Sequence, residues 1–412
     1  MEEEKKTSHN LADFSEELVS YKLNNKWGLV DKTGKVVIPA QYDRARSSTE
    51  GLAAVELNNK WGFVDKTGEF VIPLQYDFVY KFSEGLANVM LNGKYGSIDK
   101  TGKVVIPFEY DLVSYFSDGL AEVRLNNKYG FIDKTGKIVV PIKYDHVWGF
   151  SEGLANVMLN GKWGFIDKMD NVVIPLQYDY VDEFSEGLAS VELNKKLGFI
   201  DKTGKVVVPI QYDFIDEFSE GLVGVKLKKK FGFIDETGKV IIPFEYDDVG
   251  VFSEGLVSVK LNKKWGVIDK TGKVVIPFEY DDIGFFLDGL AIIRIKRKYG
   301  FIDATNKIVI PIKYHYESIF SEGVAAVKLN NKWGFIDKTD KIVVPIEYDK
   351  VRNLSGGLLG VKLKDKWRFI DNTGEIVVPF EHDNIAIFNK GIGDIYLDND
   401  WMIIDRNGDV IW

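Results

Sequence analysis

The string K-W-G-F-I-D-K-T at residues 332 to 339 returns in near copies along the whole chain. Its aromatic position falls at Trp27, Trp61, Tyr95, Tyr129, Trp163, Leu197, Phe231, Trp265, Tyr299, Trp333, Trp367 and Trp401, every step being 34 residues. A fixed period of this size marks a repeat architecture, in which each unit buries its apolar face only against its neighbours. The 412 residues therefore read as a charged tail at 1–10 followed by a single array of twelve units at 11–412.

Within a unit the pattern is that of strands. From Leu52 to Leu57, Ala53, Val55 and Leu57 alternate with Ala54 and Glu56, the period of a strand with one apolar face. Asn58, Asn59 and Lys60 then supply a tight turn onto a second strand, W-G-F-V-D-K. The third strand, E-F-V-I-P, is apolar at successive positions, which predicts cover on both faces. Between the second and third strands one position holds only Gly, Asp or Asn, as at Gly68, Asp170 and Asn306, so left-handed backbone is expected there. All 11 prolines share one repeat position after the third strand, where a residue without an N–H is expected to end it.

The expected fold is all-β: an open superhelical, β-solenoid-like stack of twelve units, each a three-stranded antiparallel meander. A closed propeller-like ring, or two rings of six units, is the alternative. Propeller blades usually have four strands and about 40 to 45 residues, and rings usually hold about 4 to 8 of them, which favours the stack.

The run K-W-G-F-I-D-K-T-G-K-V-V-I-P resembles the bacterial WG-containing repeat, also called the KWG repeat, over essentially the whole chain. The resemblance implies a repeat scaffold and brings no catalytic residues with it. Leu197, Arg368 and Met402 depart from the Trp-Gly pattern. Leu197 also indicates that the aromatic position serves packing, since leucine fills an apolar slot but offers a sugar ring no π face.

Chemistry-bearing residues are sparse. Cysteine is absent, which excludes disulfides and thiolate metal sites, and the four histidines, His9, His146, His315 and His382, are widely separated. No nucleophile motif, phosphate loop or zinc-protease signature is present, so no enzyme activity, cofactor or metal is expected. The aspartate of D-K-T-G, as at Asp65, is expected to accept backbone N–H groups of its turn. A calcium site would need further converging oxygens, to which a Y-D pair such as Tyr76 and Asp77 could add one. The absence of an apolar stretch at the start and of any run of about 18 apolar residues leads to the expectation of a soluble, cytoplasmic protein.

If repeated positions build the scaffold, specificity belongs to positions that vary. The segment after Y-D varies most and carries Phe78, Tyr80, Tyr115, His146, Trp148, Tyr180 and Phe214, with Asp182 and Asp216. Aromatic residues with acidic company suit recognition of a protein partner, although neutral variation would leave the same pattern. A second candidate is a basic ridge of Lys226, Lys260, Arg294, Lys328 and Lys362, one per unit, flanked by lysine-rich turns. Despite a net charge of -9, such a ridge could bind a polysaccharide or other anionic polymer by counterion release. The plainer reading is that lysine on exposed strands keeps sheet edges soluble.

Overall fold

The computed structural model describes residues 6–7, 18–23, 26–31, 35–353, 358–382, 384–389, 392–397 and 400–405. Apart from Lys6–Thr7, the charged N-terminal tail lies outside them. The described residues form strands and turns without a helix, hence no helix long and apolar enough to cross a membrane. They comprise twelve sheets, eleven of four strands and the last of three. Two compact units are present, Met1–Gly187 with His382–Trp412, and Leu188–Glu381.

The sheet at 78–110 shows how one repeat folds. A two-residue lead strand, Phe78–Val79, pairs with Leu86–Leu91, which pairs with Lys94–Asp99, which pairs with Val104–Tyr110, all antiparallel. Four strands per sheet replace the expected three. The extra strand comes from the variable segment, where only Val79 shows an apolar, β-branched signature and two residues are too few for periodicity to reveal. The hairpin turn Asn92–Gly93 has φ of 52° and 76°, so both turn residues are left-handed as a tight turn between twisted strands requires. The turn position before the fourth strand is left-handed as read from its composition, with φ of 83° at Gly102, 65° at Asp170 and 67° at Asn306.

Proline does not end the last strand. Val104–Tyr110 continues through Pro107, and its pairing explains how: Ser97 opposes Ile106 and Tyr95 opposes Tyr110, so residues 107–109 bulge opposite the single residue Gly96. A bulge leaves proline where no ladder N–H is needed. The glycine of the Trp-Gly motif has the same origin, because a Cβ on Gly96 would lie 2.5 Å from the Ile106 carbonyl oxygen and 2.9 Å from that of Pro107. The two most regular sequence markers are thus the two sides of one close backbone approach.

This last strand is also covered on one face only. Ile106 is fully buried, whereas Val104 is 46% exposed and Pro107 is exposed, which corrects the expectation of two-sided cover. The strand lies at the sheet edge, so its outer residues face water.

The core runs between consecutive sheets. Phe63, Ile72 and Tyr76 of one sheet pack with Val79, Phe82, Ala87, Val89 and Ile98 of the next. Phe63 meets Phe82 at 4.9 Å between ring centroids, and the contact repeats within both units as Phe165–Phe184 at 4.8 Å and Phe233–Phe252 at 5.0 Å. Each such ring contributes roughly 1.5–3 kcal/mol by burial, so sheet-to-sheet stacking carries most of the apolar stabilisation.

Charged groups clip the sheets together. Asp77 accepts a hydrogen bond from the Lys60 ammonium of the preceding sheet at 2.6 Å. Its counterpart Asp43 holds Lys26 at 2.6 Å with one oxygen and the Asn58 amide of its own hairpin turn at 2.8 Å with the other. The Y-D aspartate is therefore a lysine clip and turn cap, and this bond to lysine, first among the causes, holds Asp43 and Asp77 below the usual carboxylate range. Glu50 adds a second clip, receiving the Gly85 amide at 3.2 Å and the Lys100 ammonium at 3.0 Å.

Candidate functional site

In sheets beyond the first the register places three residues in one row: the first residue of the lead strand, the outward residue of the next strand, and the aromatic of the Trp-Gly motif. Phe78, Met90 and Tyr95 form such a row, as do His146, Met158 and Trp163. Residues just beyond the lead strand then fill the space between rows.

In the first unit these positions build two aromatic groups. Tyr80 lies 5.1 Å from Phe78, 6.2 Å from Tyr95 and 5.1 Å from Tyr115 of the following sheet. Arg46 of the preceding sheet extends this group, its guanidinium 4.8 Å above Trp61 and 4.9 Å above Phe78 while Nη1 donates to the Val79 carbonyl at 2.6 Å. Burial between the rings lowers its pKa from the ordinary arginine value. The second group holds His146 at 5.3 Å from Tyr129 and 5.6 Å from Trp163, and Trp148 at 5.6 Å from Trp163 and 5.7 Å from Tyr180. Tyr115 is 44% and Tyr180 37% exposed, and Phe78, Tyr80, His146 and Trp148 are half-buried, so each group presents an open shelf and not a closed core. Burial, then the Asp182 carboxylate, raises the pKa of Tyr180, while burial raises that of Tyr115. His146 Nδ1 is buried without a hydrogen-bond partner.

The structure thus brings Phe78, Tyr80 and Tyr115 into one group and His146, Trp148 and Tyr180 into another. Asp182 is exposed beside Tyr180. Phe214 and Asp216 belong to the second unit, where Phe214 is exposed and packs its ring 6.0 Å from Phe231, and the half-buried Asp216 accepts the Glu217 amide. Arg46 and the Trp-Gly aromatics were not among the expected site residues. The register of paired strands connects them, and one-dimensional spacing does not display it.

The basic ridge is differently built from its expectation. Lys226 lies 4.8 Å above Phe231, Lys260 5.6 Å above Trp265, Lys328 5.5 Å above Trp333 and Lys362 5.9 Å above Trp367. Arg294 instead pairs with Asp282 at 3.1 Å. All five side chains are half-buried, with the cations held on ring faces or an acid. The free charge sits in the hairpin turns, where Lys228, Lys229, Lys263, Lys296 and Arg297 are exposed and left-handed.

The turn aspartates are committed to their own backbone. Asp65 Oδ1 accepts the Thr67 amide at 2.8 Å, the Thr67 hydroxyl at 2.6 Å and the Glu69 amide at 3.1 Å, and the hydroxyl bond, first among the causes, holds its pKa low. Among the described residues no three His, Cys, Asp or Glu side chains converge as a metal would require. His9 lies outside the described residues, and only the backbone of His382 is described.

Among solved structures the chain is similar to a eukaryotic initiation factor, at 13% identity and TM-score 0.35 over 70% of this chain and 94% of that one. It is similar also to Hsv2 of Kluyveromyces lactis, at 10% identity and TM-score 0.29 over 54% of this chain and 87% of that one. The AfRom2 CNH domain overlaps at 13% identity and TM-score 0.25 over 55% of this chain and 93% of that one. Overlaps this loose carry no argument about the present chain. No curated protein matches the sequence. The family model of the WG containing repeat, in contrast, matches eleven consecutive segments that tile residues 27–399. The chain belongs to the WG containing repeat family.

Proposed function

We propose that this WG-repeat protein is a non-enzymatic, cytoplasmic scaffold that binds a protein partner through the aromatic shelves of its first unit. The observation that carries the reading is the continuity of contact from Arg46 through Trp61, Phe78 and Tyr80 to Tyr115, across three consecutive sheets. Half-exposed aromatics around a desolvated arginine are the residue types that dominate protein-binding energetics. The test is affinity capture from the source cell with the full chain, comparing wild type with Tyr80→Ala/Tyr115→Ala and with Trp148→Ala. A partner bound by wild type and lost by the variants, with unchanged circular dichroism, supports the reading. A partner retained equally by all three overturns it.

A second reading, binding of a polysaccharide or other anionic polymer in the second unit, draws support from the turns. Lys228 and Lys229 adopt φ of 50° and 73°, a conformation that asparagine and glycine take at lower cost. Left-handed lysines are a form of local strain of the kind that collects at functional sites. Retention on a polyanion column over a salt gradient, lost when Lys226, Lys260, Arg294, Lys328 and Lys362 are changed to Glu, would favour it; retention unchanged in that variant would remove the ridge from consideration.

For the fold, a ring closed within a unit, the alternative reading, draws support from the first unit, where the strand Lys6–Thr7 meets Asp400–Asp405 of the last sheet. Removal of residues 382–412 should then lower the unfolding midpoint of the first unit, and an unchanged midpoint would oppose the reading.

A further inference from the structure

One sheet of the second unit lacks the lysine clip, and the manner of its loss leaves a ligand site. In the flanking sheets the clip is complete. Asp281 holds the Lys264 ammonium at 2.7 Å with Oδ1 and the Lys296 amide at 2.8 Å with Oδ2, and Asp349 likewise holds Lys332 at 2.7 Å and the Lys364 amide at 3.1 Å. The position between them, 34 residues from each, is His315.

The backbone around His315 is that of the intact clips. Its amide donates to the Lys328 carbonyl at 2.8 Å, as Asp281 donates to Arg294 at 2.9 Å and Asp349 to Lys362 at 2.8 Å. The hairpin turn that supplies the capping amide is also unchanged, with φ of 50° at Asn330 against 47° at Lys296 and 49° at Lys364. The Asn330 amide therefore occupies the turn position that caps a carboxylate in the flanking sheets, and Lys298 the repeat position of Lys264 and Lys332, with His315 in place of the aspartate that would join them. Lys298, His315 and Asn330 are all exposed, so the place is open to solvent. Lys296 and Arg297 in the turn before Lys298 add positive charge.

We propose that this break is a carboxylate-binding site, in which an acidic side chain or a chain terminus supplied from outside completes the clip. One carboxylate oxygen takes Lys298 Nζ and the other takes the Asn330 N–H, the arrangement the neighbouring sheets realise within the chain. A carboxylate fits better than a chloride ion because the two donors are met by two separate oxygens in both flanking sheets. The site is distinct from the aromatic shelves and stands or falls independently of them.

The test uses the full chain labelled with nitrogen-15 at asparagine, with the Asn330 amide resonance identified by its loss in Asn330→Gln. Sodium acetate is titrated against sodium chloride at equal ionic strength. The expected result is a saturable downfield shift of the Asn330 amide proton with acetate alone, and about tenfold weaker apparent affinity in Lys298→Ala, the size of one charge-assisted hydrogen bond. His315→Asp, which installs the residue of the flanking sheets, should place the Asn330 resonance downfield without acetate and abolish its response. A second arm compares a capped peptide carrying one aspartate with its asparagine analogue: tighter binding of the aspartate peptide than of acetate assigns the site to a peptide partner, and equal binding assigns it to small carboxylates. An Asn330 amide indifferent to acetate in wild type, or equally responsive in His315→Asp, overturns the proposal.

Discussion

The Tyr314 hydroxyl donates to Asp340 Oδ1 at 2.7 Å, joining one sheet to the turn of the next, while Lys313 holds the other oxygen at 2.5 Å. The pattern occurs once in each unit. Tyr144 and Lys143 meet Asp170 in the same way. Lysine precedes the tyrosine of this repeat position only at 143 and 313, and aspartate replaces the turn glycine 27 residues later in both cases, as also at no other unit. Two substitutions that look like drift when read separately are one compensated exchange.

That link sets an alkaline pH dependence. Burial, then the Asp340 carboxylate, push the Tyr314 hydroxyl well above the usual tyrosine range. Since the folded-state pKa is raised, the stability this tyrosine contributes is present below about pH 10 and is lost as pH rises beyond it. Asp340→Asn keeps a residue that tolerates the turn, as Asn306 does at φ of 67°, and removes the charge that opposes ionisation. Phenolate absorbance should then show one tyrosine titrating at lower pH than in wild type; an unchanged titration curve would contradict the assignment.

The glycine of the Trp-Gly motif should be intolerant of any side chain. A Cβ on Gly62 would sit 2.5 Å from the Ile72 carbonyl oxygen and 2.9 Å from the Leu74 nitrogen, both backbone atoms. Gly62→Ala is expected to lower stability by about 3 kcal/mol or more, at the upper end of overpacking costs. Gly149→Ala, with nothing within 4 Å of the new methyl, is expected to be near neutral. Urea unfolding of the two variants makes the comparison.

Arg46 should be needed for the first aromatic group to hold its shape. Arg46→Ala removes the cation between Trp61 and Phe78 and the donor to the Val79 carbonyl, with an expected loss of about 2–3 kcal/mol. Arg46→Lys should restore little of it, because an ammonium cannot lie flat between two rings. Chemical denaturation together with tryptophan emission would read both variants.

The lysine turns offer the opposite sign. Lys228→Asn with Lys229→Gly replaces two left-handed residues by ones that accept that backbone readily, and a gain of about 1–2 kcal/mol is expected. A stability gain accompanied by weaker polyanion retention would show that these lysines are kept for their charge.

Much of the fold is legible in the sequence. The 34-residue step, the hairpin turns at Asn58 and Asn59 and the left-handed turn at Gly68, Asp170 and Asn306 are each written in residue type. What was not legible depends on pairing. Phe78–Val79 is a strand only because Leu86–Leu91 lies beside it, and Pro107 stays inside its strand only because Gly96 lets three residues bulge over one. The candidate site divides in the same way: the variable aromatics could be picked out by eye, whereas Arg46, the cations lying on rings and the open clip at His315 follow from which strands are neighbours.

The bulged proline has a consequence for how such a chain can change over evolutionary time. Eleven of the twelve repeats carry in their edge strand a residue that cannot donate to an incoming strand, so a copied unit brings its own protection against edge-to-edge association. Gene duplication can lengthen the array without exposing a new adhesive border, and the added copy is then free to diverge in its lead segment.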